Sequence, residues 1–341
     1  MSEPSVAVVI LNWNGLGLLT RFLASVTKSN YTNLRIVVGD NASTDGSLAY
    51  VRKNFPTVNL IVNEINYGFA EGYNRILQQV DADYYVLLNS DVAVPIDWIR
   101  PVIQMMEADL QIAVAQPKIK WEQDKQSFEY AGAAGGFLDI NGFPFCRGRI
   151  FDLLEHDHGQ YDDAREIFWA SGAAFFIRQK QWKQSGGLDP DLFAHMEEID
   201  LCWRLKNMGY KIAYCPKAEV YHLGGGTLDA GNPFKVFLNF RNNLIIMQKN
   251  LPYPEAIGRI ALRMGIDFVA WLQFMVTGKA KFSIAISKAH YQFLRSWRRT
   301  SKKRSAALTP LTSHQGVFKS SIVWNYFIKR VKYFSGLKDF Q

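Results

Sequence analysis

The 341-residue sequence contains little cysteine, and its three cysteines, Cys146, Cys202 and Cys215, include no CxxC pair. An odd number of cysteines without paired spacing argues against a disulfide framework and against a zinc site. We therefore expect a protein of a reducing compartment. The 48% hydrophobic content is enough for a sizeable core, in one large domain or in one domain with an appendage.

The sequence also lacks a long uninterrupted apolar run. Its most apolar segment, residues 259–278, is broken by Arg259, Arg263 and Asp267, so it falls short of the ~20 residues that a membrane-spanning helix needs. Residues 1–15 have no basic stretch before the apolar run, which predicts a first strand and not a signal peptide. We therefore expect a cytoplasmic protein in which residues 259–278 form an amphipathic surface helix.

Acidic residues are almost absent from the C-terminal segment. From Lys279 onward, 14 Lys and Arg stand against one acid, Asp339, a net charge of +13. The preceding residues carry 25 basic and 30 acidic side chains, a net charge of −5. This distribution predicts an anionic partner for the C-terminal segment. Because no nucleic-acid-binding motif accompanies the charge, we expect an anionic membrane surface and no nucleic acid.

Short apolar segments alternate with helical patterns in the first half of the chain. The patterns predict strands at 6–11, 34–38, 58–62 and 84–88, and helices at 16–27, 47–54 and 70–80. This order predicts a mixed, mainly parallel α/β sheet with helices on both faces. Further strands are expected at 112–115, 173–177 and 211–216, with loops and bends in the Gly-rich segment between the first two. Residues 235–249 and those from 254 onward have helical patterns, the latter interrupted at 309–316.

Polar side chains follow the first four predicted strands where each strand ends. Asn12 and Asn14 follow the first, Asp40 the second, residues 63–66 the third and residues 89–91 the fourth. Ligands of such sheets bind beyond the carboxyl ends of the strands. We therefore expect these four clusters to form one ligand-binding rim.

The fourth cluster is unusual because Asn89, Ser90 and Asp91 directly follow a fully apolar run. A desolvated carboxylate is costly unless a cation or a hydrogen-bond donor meets it. The three residues either cap the next turn, or Asp91 binds Mg²⁺ or Mn²⁺ together with substrate phosphates.

A second cluster, in residues 193–205, contains Glu197, Glu198 and Asp200. Asp200 and Arg204 have the i, i+4 spacing of a structural ion pair on a helix. Glu197 and Glu198 fall in the first helical turn, where a carboxylate either caps backbone amides or faces a cavity as a general base.

A third cluster, YHLGGGT at 221–227, contains His222 and three glycines. A single histidine beside a strand is commonly a satisfied structural residue. The glycines favour the alternative, because they let the backbone approach a phosphate or move as a hinge.

Taken together, these residues resemble the family 2 glycosyltransferases, and most closely their rhamnosyltransferase-type branch. The motifs VVILNWNG, VVGDNASTDGS, NEINYGFAEGYN, LLNSDV, WASGAAFFIR, GGLDPDLFAHMEEIDLCWRL and YHLGGG occur in the family's order over about residues 5–250. The resemblance implies a GT-A fold, a nucleotide-sugar donor, a divalent Mn²⁺ or Mg²⁺ ion and inversion at the anomeric carbon. We accordingly predict a GT-A domain at 1–250 and a basic amphipathic helical extension at 251–341. The extension binds a membrane surface, packs on the catalytic domain or forms a homodimer.

The resemblance also implies roles for single residues. Residues 89–91 match the family's DxD position, with Asp91 as the metal-binding carboxylate, and His222 matches a histidine that completes the metal and diphosphate site. Glu198 matches the catalytic base, with Glu197 beside it and Asp200 as the next candidate. Eight further residues match positions of the family's donor nucleotide site: Asn12, Asn14, Asp40, Asn66, Gly68, Asn74, Asn89 and Ser90. Three others match the region that lines the donor sugar and the acceptor: Trp169, Ser171 and Gly172.

The expected reaction is transfer of a sugar to a glycan or lipid-linked glycan acceptor at the inner face of the cytoplasmic membrane. The resemblance favours dTDP-L-rhamnose as donor, with UDP-hexoses next. An NAD-dependent enzyme is a weaker alternative because Gly15 and Gly17 lack the third glycine of the dinucleotide fingerprint. A non-catalytic sugar-nucleotide or nucleic-acid binder would not need the acidic pair.

Overall fold

The computed structural model describes residues 3–224, 231–305 and 307–337. The strands are β1 (Val6–Asn12), β2 (Leu34–Asp40), β3 (Asn59–Val62), β4 (Tyr84–Leu88), β5 (Val92–Ala93), β6 (Ile112–Trp121), β7 (Gly136–Asp139), β8 (Pro144–Cys146), β9 (Arg149–Ile150), β10 (Leu153–Leu154), β11 (Arg165–Ile167), β12 (Ala174–Arg178), β13 (Lys211–His222) and β14 (Val317–Phe318). The helices are α1 (Leu16–Thr27), α2 (Ser47–Asn54), α3 (Gly68–Leu77), α4 (Ile99–Ala108), α5 (Gln179–Ser185), α6 (Glu197–Asn207), α7 (Pro233–Asn250), α8 (Tyr253–Val276), α9 (Ala280–Ser301) and α10 (Ile322–Phe327).

The main sheet has its core on both faces, as the apolar strands predict. Every residue of β4 is buried. Tyr84, Val86 and Leu88 contact one hydrophobic cluster, whereas Tyr85 and Leu87 contact the other. This alternation follows from the two-residue period of a strand, so an interior strand must be apolar at every position.

The main sheet is mixed, with the order β11-β13-β6-β12-β4-β1-β2-β3 and β5 paired with β13. The neighbours β4, β1, β2 and β3 are parallel, as predicted for the first half of the chain. In contrast, β12 runs antiparallel to both β4 and β6. The expected short strand at 211–216 is the first half of β13, which continues to His222 past an irregularity between Cys215 and Glu219.

A second sheet begins in the Gly-rich segment for which loops and bends were predicted, where β7 and the start of β8 lie, and β9, β10 and β14 complete it. Its five strands have the order β10-β9-β8-β7-β14. A Cβ atom at Gly136 would lie 2.2 Å from the indole of Trp169, so the glycine is needed for this packing. The prediction failed because strands of two to four residues carry almost no periodicity.

The C-terminal elements pack on the preceding part of the chain. Gln248 of α7 donates a 2.9 Å hydrogen bond to the carbonyl of Trp297 in α9, and Asp139 of β7 accepts one from the amide of Ile322. β14 also completes the second sheet. The division into domains at residue 250 stays a prediction. Many contacts join the residues on its two sides. Within the described ranges, no helix has the length and apolarity to cross a membrane.

Candidate active site

The carboxyl ends of β1 and β2 meet in a buried polar network. Asn12 and Asp40 are register partners, and the Asn12 amide donates 2.9 Å to the Asp40 carboxylate and 3.0 Å to Ser47. The other oxygen of Asp40 accepts a hydrogen bond from the amide of Ser43. The side chains of Asn12 and Asp40, both predicted for the donor site, are almost fully buried. They therefore support the loops of the rim through hydrogen bonds.

Two loops of the rim are set by left-handed backbone positions. Asn14, at φ 49°, accepts a hydrogen bond from the amide of Thr44. Gly68, at φ 77°, receives support from Asn66, whose side-chain oxygen accepts its amide hydrogen. A Cβ atom at Gly68 would lie 2.8 Å from the ring of Phe193, so glycine is needed for both conformation and space.

Asn74, another residue predicted for the nucleotide site, ties two parts of this fold together. Its side-chain amide donates to the carbonyl of Leu188 and accepts from the amide of the same residue, at 2.8 and 3.0 Å. This pair of hydrogen bonds ties α3 to the segment between α5 and α6. The structure therefore explains Asn74 without a nucleotide.

The end of β4 faces the end of β13. Asp91 is 5% exposed, and its Oδ1 lies 3.1 Å from Nε2 of His222. Asn89 approaches the same histidine nitrogen at 3.5 Å through its side-chain nitrogen. Ser90 is half-buried beside them. The structure thus brings together all four predicted residues of the metal and diphosphate site.

Glu129 joins this cluster and was not anticipated from the sequence. Its Oε2 lies 3.2 Å from Nδ1 of His222, on the side of the ring opposite Asp91. Burial alone would lower the pKa of His222, but the Glu129 and Asp91 carboxylates raise it to about 10. Glu129 lies in a segment, FEYAGAAGG, that offers no periodic signal, so only the fold reveals its contact.

The cluster fits a cation that is shared with a substrate diphosphate. Asp91 offers a carboxylate oxygen, and His222 offers Nε2 once the incoming cation displaces the proton that the two carboxylates favour on the ring. The Glu129 carboxylate lies 3.2 Å from the second ring nitrogen, where outer-sphere carboxylates orient metal-binding histidines. Across the described ranges, no group of three or more His, Cys, Asp or Glu side chains is arranged to hold a metal alone. An octahedral Mg²⁺ or Mn²⁺ ion would therefore need phosphate and water oxygens as well.

The acidic pair begins α6. Glu197 is 5% exposed, whereas Glu198 is partly exposed and lines a cavity of about 310 Å³. Burial raises the pKa of Glu197 well above its ordinary value, and the Glu198 carboxylate raises it further. Burial raises the pKa of Glu198 to about 7. Glu198 therefore has both the access and the basicity that a general base near neutral pH needs.

A strained backbone segment directly precedes the acidic pair. Phe193, His195 and Met196 have φ values of 64°, 65° and 72°, which are unfavourable for residues with side chains. Asn242 of α7 holds this segment by donating to the carbonyls of Leu192, Ala194 and His195 at 2.9, 3.0 and 2.7 Å. The run NFRNN within an otherwise apolar helical pattern was a signal for this role.

Asp200, the third predicted catalytic carboxylate, instead belongs to a buried ion network. It is fully buried, and its Oδ2 accepts from Arg204 and Lys249, each at 2.8 Å. Its other oxygen accepts from Asn250. The predicted ion pair with Arg204 is confirmed, and the carboxylate does not line the cavity. This corrects the assignment of Asp200 as an alternative base, since an acceptor hydroxyl has no access to it.

The predicted sugar and acceptor residues link the cavity to the rim. Trp169 lines the cavity and donates from its indole to the carbonyl of Phe137. Ser171 is buried, and its backbone amide donates a hydrogen bond to the side-chain oxygen of Gln116. Gly172 is partly exposed and lies beside Phe69. At the next residue, the carbonyl of Ala173 accepts from the backbone amide of Asn89, so the segment runs from the cavity to the strand end that carries Asp91.

Three curated proteins with printed activities are similar to this chain over about half to three fifths of its length. A mycobacterial N-acetylglucosaminyl-diphospho-decaprenol L-rhamnosyltransferase, from Mycobacterium tuberculosis, is 27% identical over 222 residues, covering 60% of this chain and 71% of the relative. The rhamnosyltransferase WbbL of Escherichia coli is 22% identical, covering 46% and 61%. The low-salt glycan biosynthesis hexosyltransferase Agl10 of Haloferax volcanii is 22% identical, covering 57% and 61%.

Solved glycosyltransferase structures share the fold. A mannosyltransferase from Pyrobaculum calidifontis, in complex with GDP-Man and Mn²⁺, has a TM-score of 0.52 at 15% identity, covering 86% of this chain and 88% of its own. GalNAc-T7 with UDP, GalNAc and Mn²⁺ has a TM-score of 0.56 at 18% identity, covering 73% of this chain but 48% of its own. The architecture is therefore GT-A, as predicted. The sequence model described as glycosyltransferase like family 2 matches residues 4–236, and the chain belongs to this family.

Proposed function

We propose that this glycosyltransferase is a metal-dependent, inverting enzyme in which Glu198 is the catalytic base. The observation that carries the proposal is the position of Glu198, which faces the cavity while Glu197 beside it is buried. Two of the relatives described above are rhamnosyltransferases. We therefore take dTDP-L-rhamnose as the donor and a glycan or lipid-linked glycan as the acceptor.

In the proposed reaction, the ionised Glu198 carboxylate accepts the proton of an acceptor hydroxyl. The hydroxyl oxygen attacks the anomeric carbon from the face opposite the nucleotide, and the bond to the diphosphate breaks in the same displacement. Asp91 and His222 would hold a divalent ion together with the donor diphosphate. When bound, this ion would neutralise the charge that develops on the leaving group.

A UDP-hexose donor is the second candidate. It is supported by the archaeal hexosyltransferase relative and by the UDP in the GalNAc-T7 structure. A non-catalytic sugar-nucleotide binder is a candidate of another class, but it gives no reason for the strained segment that presents Glu198 to a cavity.

We also propose that helix α8 lies on an anionic membrane, where a lipid-linked acceptor is available. Every residue of α8 is described, and none of its exposed residues is charged. Its buried face instead contains Arg263 and Asp267, which are ion-paired at 2.8 Å. The exposed face consists of Ile257, Leu262, Phe268, Val269, Leu272, Met275 and Val276, among others.

The neighbouring helix α9 supplies the matching charge. Its exposed residues combine apolar side chains with basic ones, among them Lys281, Lys288, Arg295 and Arg298. An apolar face bordered by cations has the chemistry of a membrane-surface helix. Alternatively, a second copy of the chain covers the same face in a homodimer. The oligomeric state in solution distinguishes this alternative from membrane binding.

The function is tested by a donor screen followed by product analysis. Thermal unfolding is measured with dTDP-L-rhamnose, UDP-glucose, UDP-GalNAc and GDP-mannose, each with and without Mn²⁺. We expect dTDP-L-rhamnose with Mn²⁺ to give the largest stabilisation, since ligand binding stabilises the folded state by mass action. Transfer to a lipid-linked acceptor should then yield a product of inverted anomeric configuration. Stabilisation by a UDP-hexose alone would favour the second candidate, and retention would refute the single displacement.

A further inference from the structure

The cavity that contains Glu198 also contains a buried arginine without an anionic partner. Arg149 of β9 is 9% exposed and lines the cavity. Among the described residues it forms no ion pair, although the buried cations Arg147 and Arg263 each have a carboxylate partner. The Glu129 carboxylate favours the charged form of Arg149 from a distance, but it does not pair with the guanidinium. Burying a guanidinium without a paired carboxylate is costly, so this arrangement points to a functional reason.

The guanidinium of Arg149 is held rigidly but is poorly satisfied. Its Nη1 donates 3.0 Å to the carbonyl of Phe151, its Nη2 contacts the Cys146 sulfur at 3.8 Å, and its Nε is buried without a partner. The ring of Tyr130 stacks 3.9 Å from the guanidinium carbon. An arginine has five N–H donors, and within residues 3–224, 231–305 and 307–337 only one of them donates to an oxygen.

Other lining residues suit an anionic sugar. The partly exposed Lys235 of α7 lines the same cavity. Burial lowers the pKa of His195 to about 4, and the charge of Lys235 contributes to this shift. Phe143, Phe151 and Trp169 supply apolar surface on which a sugar ring can stack. Asp152 is the acidic lining residue besides Glu198, and it lies exposed. The volume of about 310 Å³ is at the small end of ligand sites.

We propose that Arg149, assisted by Lys235, binds an anionic group of the acceptor, a phosphate or a carboxylate. A planar guanidinium matches both groups with two parallel hydrogen bonds. The bound anion positions the acceptor hydroxyl in the cavity of Glu198 and compensates the buried cation. This inference rests on the proposed function, since it assigns the cavity to the acceptor.

The test measures binding of three probe sugars to the full chain by calorimetry, with the donor site filled by a nucleoside diphosphate and Mg²⁺. The probes are glucose 1-phosphate, glucuronic acid and neutral glucose. We expect at least one anionic probe to bind wild-type protein tenfold or more tightly than glucose, and Arg149→Met to remove this difference. The exposed residue Arg52 of α2 provides the matched control, Arg52→Met, which should bind all probes as wild type does.

Each outcome decides the inference separately from the proposed function. Equal binding of all three probes to wild type would overturn it, as would unchanged anion binding by Arg149→Met. Preference for glucose 1-phosphate or for glucuronic acid identifies phosphate or carboxylate as the recognised group. The thermal midpoint of Arg149→Met should not fall, because a methionine of similar volume keeps the contact with Tyr130 and removes the cost of burying a charge that has no paired carboxylate. A fall of the midpoint would indicate a structural role for Arg149 and would overturn the inference. If Arg149→Met does not fold, two measurements still test the inference. These are the comparison of the three probes on wild-type protein and the binding of the anionic probes to Lys235→Met, for which we expect a partial loss of affinity. The proposed function is tested on wild-type protein, by donor binding and by the anomeric configuration of the product. Its failure is therefore distinguishable from failure of this inference.

Discussion

The side-chain amide of Asn242 donates a 2.7 Å hydrogen bond to the carbonyl of His195, three residues before the proposed base Glu198. Arg241 orients this amide, since its Nε donates 2.8 Å to the Asn242 oxygen. The contact joins α7 to the strained segment that precedes α6. Asn242 is thus a positioning residue, which acts on the base through the backbone.

Replacing Asn242 by alanine should lower turnover while sparing donor affinity. The change leaves three carbonyls without their donor, at a cost of about 1–3 kcal/mol in the free energy of unfolding. A shift of the base by about 1 Å can cost on the order of 10²-fold in rate. Asn243→Ala is the control, because Asn243 is equally buried but contacts Gly142 and Arg263. Equal losses of turnover in both variants would show that only general destabilisation matters.

Glu198→Gln should abolish most sugar transfer and leave donor binding unchanged. The amide preserves shape but cannot accept the acceptor proton, and loss of a general base costs about 10²- to 10⁴-fold. Glu197→Gln should retain far more activity, since Glu197 does not line the cavity. Initial rates at saturating donor compare the two variants. An inactive Glu197 variant beside an active Glu198 variant would move the base by one position.

The rate should depend on the protonation of Glu198. Because the base acts as a carboxylate and burial raises its pKa to about 7, kcat/KM should increase as pH rises and level off above about 7. The same raised pKa means that the folded state binds this proton more tightly than the unfolded state does. Its contribution to stability is therefore lost as pH rises from about 4.3 through 7. A rate independent of pH from 5 to 8 would contradict the assignment.

Asp91→Asn should weaken donor binding in the presence of Mn²⁺ by at least tenfold, because it removes the carboxylate at the proposed metal site. His222→Ala should weaken it less. Glu129→Gln should weaken it by no more than His222→Ala does, because Glu129 acts on the metal only through His222. Calorimetry with and without Mn²⁺ separates metal-dependent affinity from the rest, and the exposed Asp97→Asn serves as control. Unchanged Mn²⁺ dependence in the Asp91 variant would remove this residue from the site.

The double variant Phe268→Asp, Leu272→Asp should detach the protein from membranes while preserving donor binding. Burying each apolar side chain contributes about 1.5–3 kcal/mol, so sedimentation with vesicles of equal parts phosphatidylglycerol and phosphatidylcholine should fall at least tenfold. Leu110→Asp changes a still more exposed apolar side chain elsewhere and should have no effect. Truncation before Lys279 is unsuitable, because α9 packs on α7. Dimer dissociation without a change in sedimentation would assign the face to a second copy.

The sequence alone was sufficient to predict the first half of the fold and most of the rim. Strands β1, β2, β3 and β4 are apolar with polar residues at their ends, and such local patterns survive folding because one strand's periodicity needs no distant partner. The pairing of Asp91 with His222 also followed from sequence, through the joint resemblance of several motifs to one family.

The remaining features depend on residues that are distant in sequence. Glu129 meets His222 across 93 positions, and Asn242 reaches His195 across 47, so neither contact has a local pattern. The small second sheet escaped prediction because its strands are too short to show a period. Sequence placed Arg263 and Asp267 in α8 as interruptions of an apolar run. Tertiary packing turned both charges inward, where they pair, and thereby left the exposed face of α8 apolar.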